Sequence, residues 1–166
     1  MKVLFLDING VMIPSRQPDF NQDCFAQLRR ITEETRCRIV LSSSLRALPT
    51  EIARIEKHLK GNSILPLIGK TPSGQKRTRM NVILEWINYW DSNFVHHNQE
   101  SLKLETCIFE EAIGEHEKTK ITHWVALDDI ENLENSESKG HVVQTKSHQG
   151  LTEERANKAI QILNSN

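Results

Sequence analysis

Continuous apolar runs alternate along this chain with stretches whose apolar residues recur at helical spacing. Lys2-Val3-Leu4-Phe5-Leu6-Asp7 is an apolar run ending on a carboxylate, and such a run predicts a buried strand. The next stretch, Ile8 to Gln22, is punctuated by Pro14 and Pro18 and predicts a loop or small flap. Asp19 or Asn21 can then cap a helix to about Arg36, with Phe25, Leu28 and Ile31 on one face. Cys37 to Ser42 predicts a second strand. Pro49 suits a helix first turn, and Ile52, Ile55 and Leu59 recur at helical spacing before Gly61. That stripe is a core face, not a cofactor box.

The second half repeats the alternation with a weaker middle. Ile64-Leu65-Pro66-Leu67-Ile68 is strand-like, with a proline that suggests an edge or a break. Gly69 to Thr78 predicts a loop. Arg79 to Trp90 predicts a helix with Val82, Ile83, Trp86 and Ile87 facing inward. From Asp91 to Lys120 the pattern fades; the segment holds His96, His97, His116, many Glu residues and one apolar run, Cys107-Ile108-Phe109. Ile121 to Asp128 predicts a strand, Asn132 to Lys139 a polar surface loop, and His141 to Gln144 a last short strand. Thr152 caps a final helix, with Glu153 and Glu154 in its positive first turn and Ala156, Ala159, Ile160 and Leu163 packing it down. Strands alternating with helices imply right-handed crossovers and a mostly parallel sheet with helices on both faces. At 166 residues the chain is expected to form one domain spanning 1–166.

Charge and cysteine usage narrow the picture little. A net charge of -1 argues against a strongly electrostatic nucleic-acid binder, but leaves room for a local basic patch at a nucleic-acid end. Cys24, Cys37 and Cys107 form no metal or disulfide pattern and are expected to be reduced. The first residues enter a strand at once, and no apolar run reaches membrane-spanning length. The expected compartment is cytoplasmic, or a host cytosol reached by a secreted effector.

The chemistry lies at strand ends. Asp7 closes the first apolar run and Asn9-Gly10 follows, a pair that tolerates a sharp turn. Ser42-Ser43-Ser44 closes the second, and Asp128-Asp129 closes the run from His123. In open α/β sheets, ligands sit at the carboxyl ends of strands. Converging carboxylates would repel one another unless a hard cation such as Mg²⁺ sat between them.

The ordered set resembles the haloacid dehalogenase (HAD) superfamily, most closely the HAD domain of Swiss army knife RNA-repair proteins. The matching pieces are Leu6 to Val11, Ser42 to Arg46, Gly69 to Pro72, Arg79 with Trp86, Leu127 to Asp129, and Gly150 to Thr152. The resemblance implies a three-layer Rossmann-like HAD fold without a large cap domain, and makes the stretch of about 91–120 an insertion. It implies that the first and fourth motif strands are neighbours. It further implies Mg²⁺ held by Asp7, by the Asn9 backbone carbonyl and by Asp129, which is preferred to Asp128; Asp128 would hold the basic third-motif group. Asp7 would be the nucleophile of a phosphohydrolase acting through a phosphoaspartyl intermediate, and Ser42 would bond the transferring phosphoryl group. Lys76 or Arg79 would neutralise its charge, with Lys70 a weaker candidate. Ser43, Arg46 and Arg79 are the expected substrate contacts. The expected partner is a phosphorylated substrate, either a nucleic-acid terminal phosphate or a phosphoprotein.

Asn9 departs from the pattern. Active HAD phosphatases carry Asp there as general acid and base, and an amide does neither job. Three explanations fit: a slow enzyme relying on another acid or a good leaving group, a catalytically inactive phosphate-binding or regulatory module, or an engineered replacement of Asp.

Overall fold

The computed structural model describes residues 1–73, 77–92 and 107–165. Five strands form one sheet in the order β3-β2-β1-β4-β5. They are β1 (Lys2–Leu6), β2 (Arg38–Leu41), β3 (Gly69–Lys70), β4 (His123–Asp128) and β5 (Val142–Gln144). Every neighbouring pair is parallel. The helices are α1 (Gln22–Thr35), α2 (Pro49–Gly61), α3 (Arg79–Trp90) and α4 (Glu153–Leu163). This is a Rossmann-like α/β architecture. Among the described residues no helix is long and apolar enough to cross a membrane.

Local chemistry sets the helix starts. The Asn21 side chain accepts from the backbone N–H groups of Asp23 and Cys24, satisfying donors that the first turn leaves unpaired. Thr78 does the same for Asn81 and Thr152 for Arg155. Pro49 occupies the first turn of α2, where its missing N–H removes nothing.

The sheet separates two cores. On one face Leu4, Leu6, Ile39, Leu41 and Leu127 pack with Phe25 and Leu28 of α1, Ile55 and Leu59 of α2, and Ala156 and Ala159 of α4. On the other, Val3, Phe5 and Val40 pack with Met80, Ile83, Trp86 and Trp90 of α3, and with Cys107, Ile108, Ile113 and Ile121. Alternate residues of β1 thus serve opposite faces, as a strand buried on both sides requires. The 107–121 segment is tied to the second face by polar bonds as well. Trp86 Nε1 donates to the Cys107 carbonyl at 3.1 Å, and Trp90 Nε1 to that of Thr119 at 2.9 Å. Arg38, only 5% exposed, donates to the Ala112 carbonyl and pairs with Glu117.

The sequence pattern needs correction in one place. Ile64 to Ile68 forms no strand; β3 is confined to Gly69–Lys70. Pro66 has no N–H to pair, and the Leu67 N–H bonds the Glu56 carboxylate at 2.9 Å instead of a neighbouring strand. The apolarity of the run reflects burial of Ile64, Leu67 and Ile68; only Ile68 touches the sheet, its N–H bonding the Ile39 carbonyl of β2 at 2.9 Å. The expected insertion at about 91–120 lies partly outside the described residues, as do His96 and His97. Of its described remainder, Cys107, Ile108 and Ile113 are core; Ile108 bridges Gly69 and the Phe109 N–H bonds the Ile68 carbonyl at 3.0 Å.

Candidate functional site

The strand order reverses direction between β1 and β4: the chain builds outward from β1 through β2 to β3, then returns to β1's other side. The crevice outside the carboxyl ends at such a reversal is where open α/β sheets bind ligands. Asp7 follows β1 directly, and its N–H bonds the Leu127 carbonyl of β4 at 3.0 Å. Asp128 ends β4. Both are buried, at 4% and 1% exposure. Asp7, Asp128 and Asp129 each offer an oxygen to one point, these atoms all lying within 4.8 Å of one another.

The backbone makes that convergence possible. Gly10 has φ +72°, in the left-handed region, and a Cβ there would lie 2.1 Å from Asp129 Oδ2 and 2.4 Å from its Cγ. Only a residue without a side chain admits Asp129 to the cluster. The turn is pinned from just past β5, where the Thr145 hydroxyl donates to the Gly10 carbonyl at 2.8 Å. Asn9 is exposed, and its carbonyl accepts no hydrogen bond from the described residues. Three carboxylates and a free carbonyl are a hard-oxygen set, the donor chemistry that suits Mg²⁺. The cluster could hold a metal.

Among the described residues one cation answers the acids. Arg79, the first residue of α3, places Nη1 3.2 Å from Asp7 Oδ1 and 3.0 Å from Asp128 Oδ2. The Asp128 carboxylate also accepts from the Ile130 N–H at 3.0 Å. Burial pushes the Asp128 carboxyl up to about 6; Arg79 opposes this and the Asp7 charge adds to it. Of the other candidate bases, Lys70 turns away and donates to the Arg46 carbonyl at 3.4 Å, and Lys76 lies outside the described residues.

The serine motif divides. Ser42, at the end of β2, is buried with its Oγ unbonded. Ser43, an expected substrate contact, is fully buried, and its hydroxyl accepts from Leu45 N–H at 3.4 Å. It caps the short turn of Ser44–Ala47 and offers nothing outward. Arg46 spreads over carbonyls, donating to Ser43 at 2.7 Å and to Pro72 at 3.2 Å. Burial lowers the pKa of its guanidinium from the ordinary value and the nearby Arg79 charge lowers it further, while Asp7 opposes both.

Two contributors were not assigned roles from sequence. Thr145 secures the Gly10 turn, and Thr71, following β3, is fully buried with its hydroxyl unbonded. Thr71 belongs to the Gly69 to Pro72 motif, and its place one residue past a strand was the signal that marked Asp7 and Ser42.

No curated protein and no solved structure matches the chain. One family pattern matches residues 3–101 and 107–156, leaving within that range only 102–106 outside it. With its parallel sheet and strand-end carboxylates, the chain belongs to the family of HAD domains found in Swiss Army Knife RNA repair proteins.

Proposed function

We propose that this protein is a Mg²⁺-dependent phosphohydrolase slowed by Asn9. The observation that carries the reading is the buried Asp7 at the sheet's reversal point, within reach of two further carboxylates and of Arg79. Asp7, the Asn9 carbonyl and Asp129 would hold the metal. Bound there, Mg²⁺ shields the charge of Asp7 from that of the phosphate and orients both.

The chain's own residues supply the rest. An Asp7 carboxylate oxygen attacks phosphorus; the bond to the ester oxygen breaks, and that oxygen leaves with the electron pair. Arg79 neutralises charge on the phosphoryl oxygens, held to its task by Asp128, and the Ser42 hydroxyl bonds one of them. Water then attacks phosphorus in the acyl phosphate, inorganic phosphate departs and Asp7 is regenerated. Asn9 neither protonates the leaving oxygen nor activates the water. Losing such a group typically costs about 10²- to 10⁴-fold. Aryl phosphates, whose phenolates leave unaided, are therefore turned over faster than alkyl phosphates.

The short Ile8 to Gln22 connection leaves no room for a large cap, which suits a bulky substrate. The family's RNA-repair setting favours a nucleic-acid terminal phosphate over a phosphoprotein, by analogy of fold. The test is a panel of aryl and alkyl phosphates and phosphorylated oligonucleotides, with and without Mg²⁺, on this chain and on Asn9→Asp. A rise of about 10²-fold or more in Asn9→Asp is expected. Equal rates on aryl and alkyl esters, or turnover that survives Asp7→Ala, would refute the enzyme. A second reading, a phosphate-binding module without turnover, rests on Asn9 alone; it requires Mg²⁺-dependent phosphate binding and no product even from Asn9→Asp.

A further inference from the structure

Six buried side-chain atoms among the described residues lack a hydrogen-bond partner: Gln27 Oε1, Arg30 Nε, Arg38 Nε, Ser42 Oγ, Arg46 Nε and Thr71 Oγ1. Three of them, from Ser42, Arg46 and Thr71, come from one place, the carboxyl ends of β2 and β3. Buried polar groups are ordinarily paired, and an orphan points to a missing ligand or water. Three orphans together point to something sizeable and polar.

Register brings the hydroxyls level. Val40 pairs with Gly69 and Leu41 with Lys70, so the next residues out, Ser42 and Thr71, lie side by side. The Thr71 N–H bonds the Leu41 carbonyl at 2.9 Å, extending the ladder one step. Level neighbours in a parallel pair present their side chains to the same face. Arg46 ties the two segments together: its guanidinium donates to the Ser43 carbonyl on one and to the Pro72 carbonyl on the other. Its Nε–H is left over. Arg46 and Arg79 also lie near enough to repel each other. Two hydroxyls and the spare guanidinium donor of Arg46, with Arg79 nearby, favour a compact oxyanion.

We propose that Thr71 is a phosphate-contacting residue. Its hydroxyl, the Ser42 hydroxyl and the Arg46 Nε–H form a pocket for phosphoryl oxygens on the β2–β3 side of Asp7. This rests on the phosphohydrolase reading above, and adds a contact from a strand that carries none of its other residues. A bulky apolar side chain at position 71 would fill the pocket, whereas valine keeps the shape and removes only the bonding.

The experiment titrates inorganic phosphate into the full chain with Mg²⁺, for the unaltered protein, Thr71→Val and Thr71→Ser, and records thermal unfolding without phosphate. Thr71→Val is expected to bind phosphate about tenfold more weakly, the loss of one hydrogen bond to a charged group. Thr71→Ser keeps the hydroxyl and is expected to stay within about threefold of the unaltered chain. Mg²⁺ affinity without phosphate is unchanged in both. Ligand-free Thr71→Val unfolds at the same temperature or higher, because an unbonded buried hydroxyl is removed. If Thr71→Val binds phosphate as well as the unaltered chain and melts lower without it, the hydroxyl serves the scaffold through a buried water and the proposal fails. If the unaltered chain shows no Mg²⁺-dependent phosphate binding, the phosphohydrolase reading falls with it. Equal binding by unaltered chain and valine variant overturns this inference alone.

Discussion

The two halves of the sheet's carboxyl edge have opposite electrostatic problems. At the ends of β1 and β4, Asp7, Asp128 and Asp129 crowd together and Arg79 bridges two of them. At the ends of β2 and β3, Ser42, Thr71 and Arg46 hold donors that nothing among the described residues accepts. Among the described residues the acidic half has more carboxylates than cations, and the hydroxyl half has donors without an acceptor. A metal phosphate would answer both at once. Neither half is well satisfied alone, because a buried charge or donor without a partner is costly. The difference teaches that binding chemistry is divided along the sheet edge: cation demand on one side of Asp7, anion demand on the other.

The comparison can be broken most severely at Asp7. Replacing it with Ala removes the acid that lies between the two halves, and turnover of aryl phosphates is expected to fall at least about 10³-fold, as steady-state assays would read. Arg79→Ala strikes the acidic half by leaving Asp7 and Asp128 without their bridge. Removing one partner of a buried ion pair costs about 3–5 kcal/mol, and chemical denaturation in EDTA should show the loss. Added Mg²⁺ is expected to restore part of it.

Protonation offers a finer cut. Asp128 titrates near 6 in the folded chain, above its unfolded value near 4. A raised carboxyl means the folded state holds the proton more tightly. Its contribution to stability is therefore fully present below about pH 4 and is lost as pH rises through about 6. The metal-free protein should lose at most about 3 kcal/mol from this group over that window, at roughly 1.4 kcal/mol per pH unit. Asp128→Asn should flatten the slope in melts taken across the range; an unchanged slope assigns it elsewhere.

Gly10→Ala tests access to the acidic cluster. Its Cβ would meet the Asp129 side chain at 2.1 Å, on a backbone with φ +72°. A cost of about 1–2 kcal/mol is expected, with Mg²⁺ affinity down at least about tenfold by titration. The smallest effect belongs to the hydroxyl half. Ser42→Ala removes an unbonded oxygen, so ligand-free stability should move by no more than about 0.5 kcal/mol, while phosphate affinity weakens. A large stability loss in Ser42→Ala would erase the contrast between the halves.

Much of this architecture could be read from the chain. Apolar residues at helical spacing located the four α-helices of the described residues, with α3 bounded at Arg79 and Trp90 as expected, and Asn21, Thr78 and Thr152 bond the first turns they precede. Asp7, Ser42 and Asp128 stood out because each ends an apolar run. Ile64 to Ile68 misled because an apolar run reports burial: Ile64 and Leu67 are buried by packing in the core beside α2, and only Ile68 bonds the neighbouring strand.

The order of elements, their caps and the residue type at each strand end were properties of the linear chain, because periodicity, turn chemistry and propensity act over a few neighbours. Tertiary structure alone decided that Arg79 bridges two acids, that Ser43 faces inward while Ser42 and Thr71 stand level, and that Gly10 makes way for Asp129. Those outcomes depend on distances between residues as many as 119 positions apart (Gly10 to Asp129), and such distances exist only once the sheet has set its strand order and register.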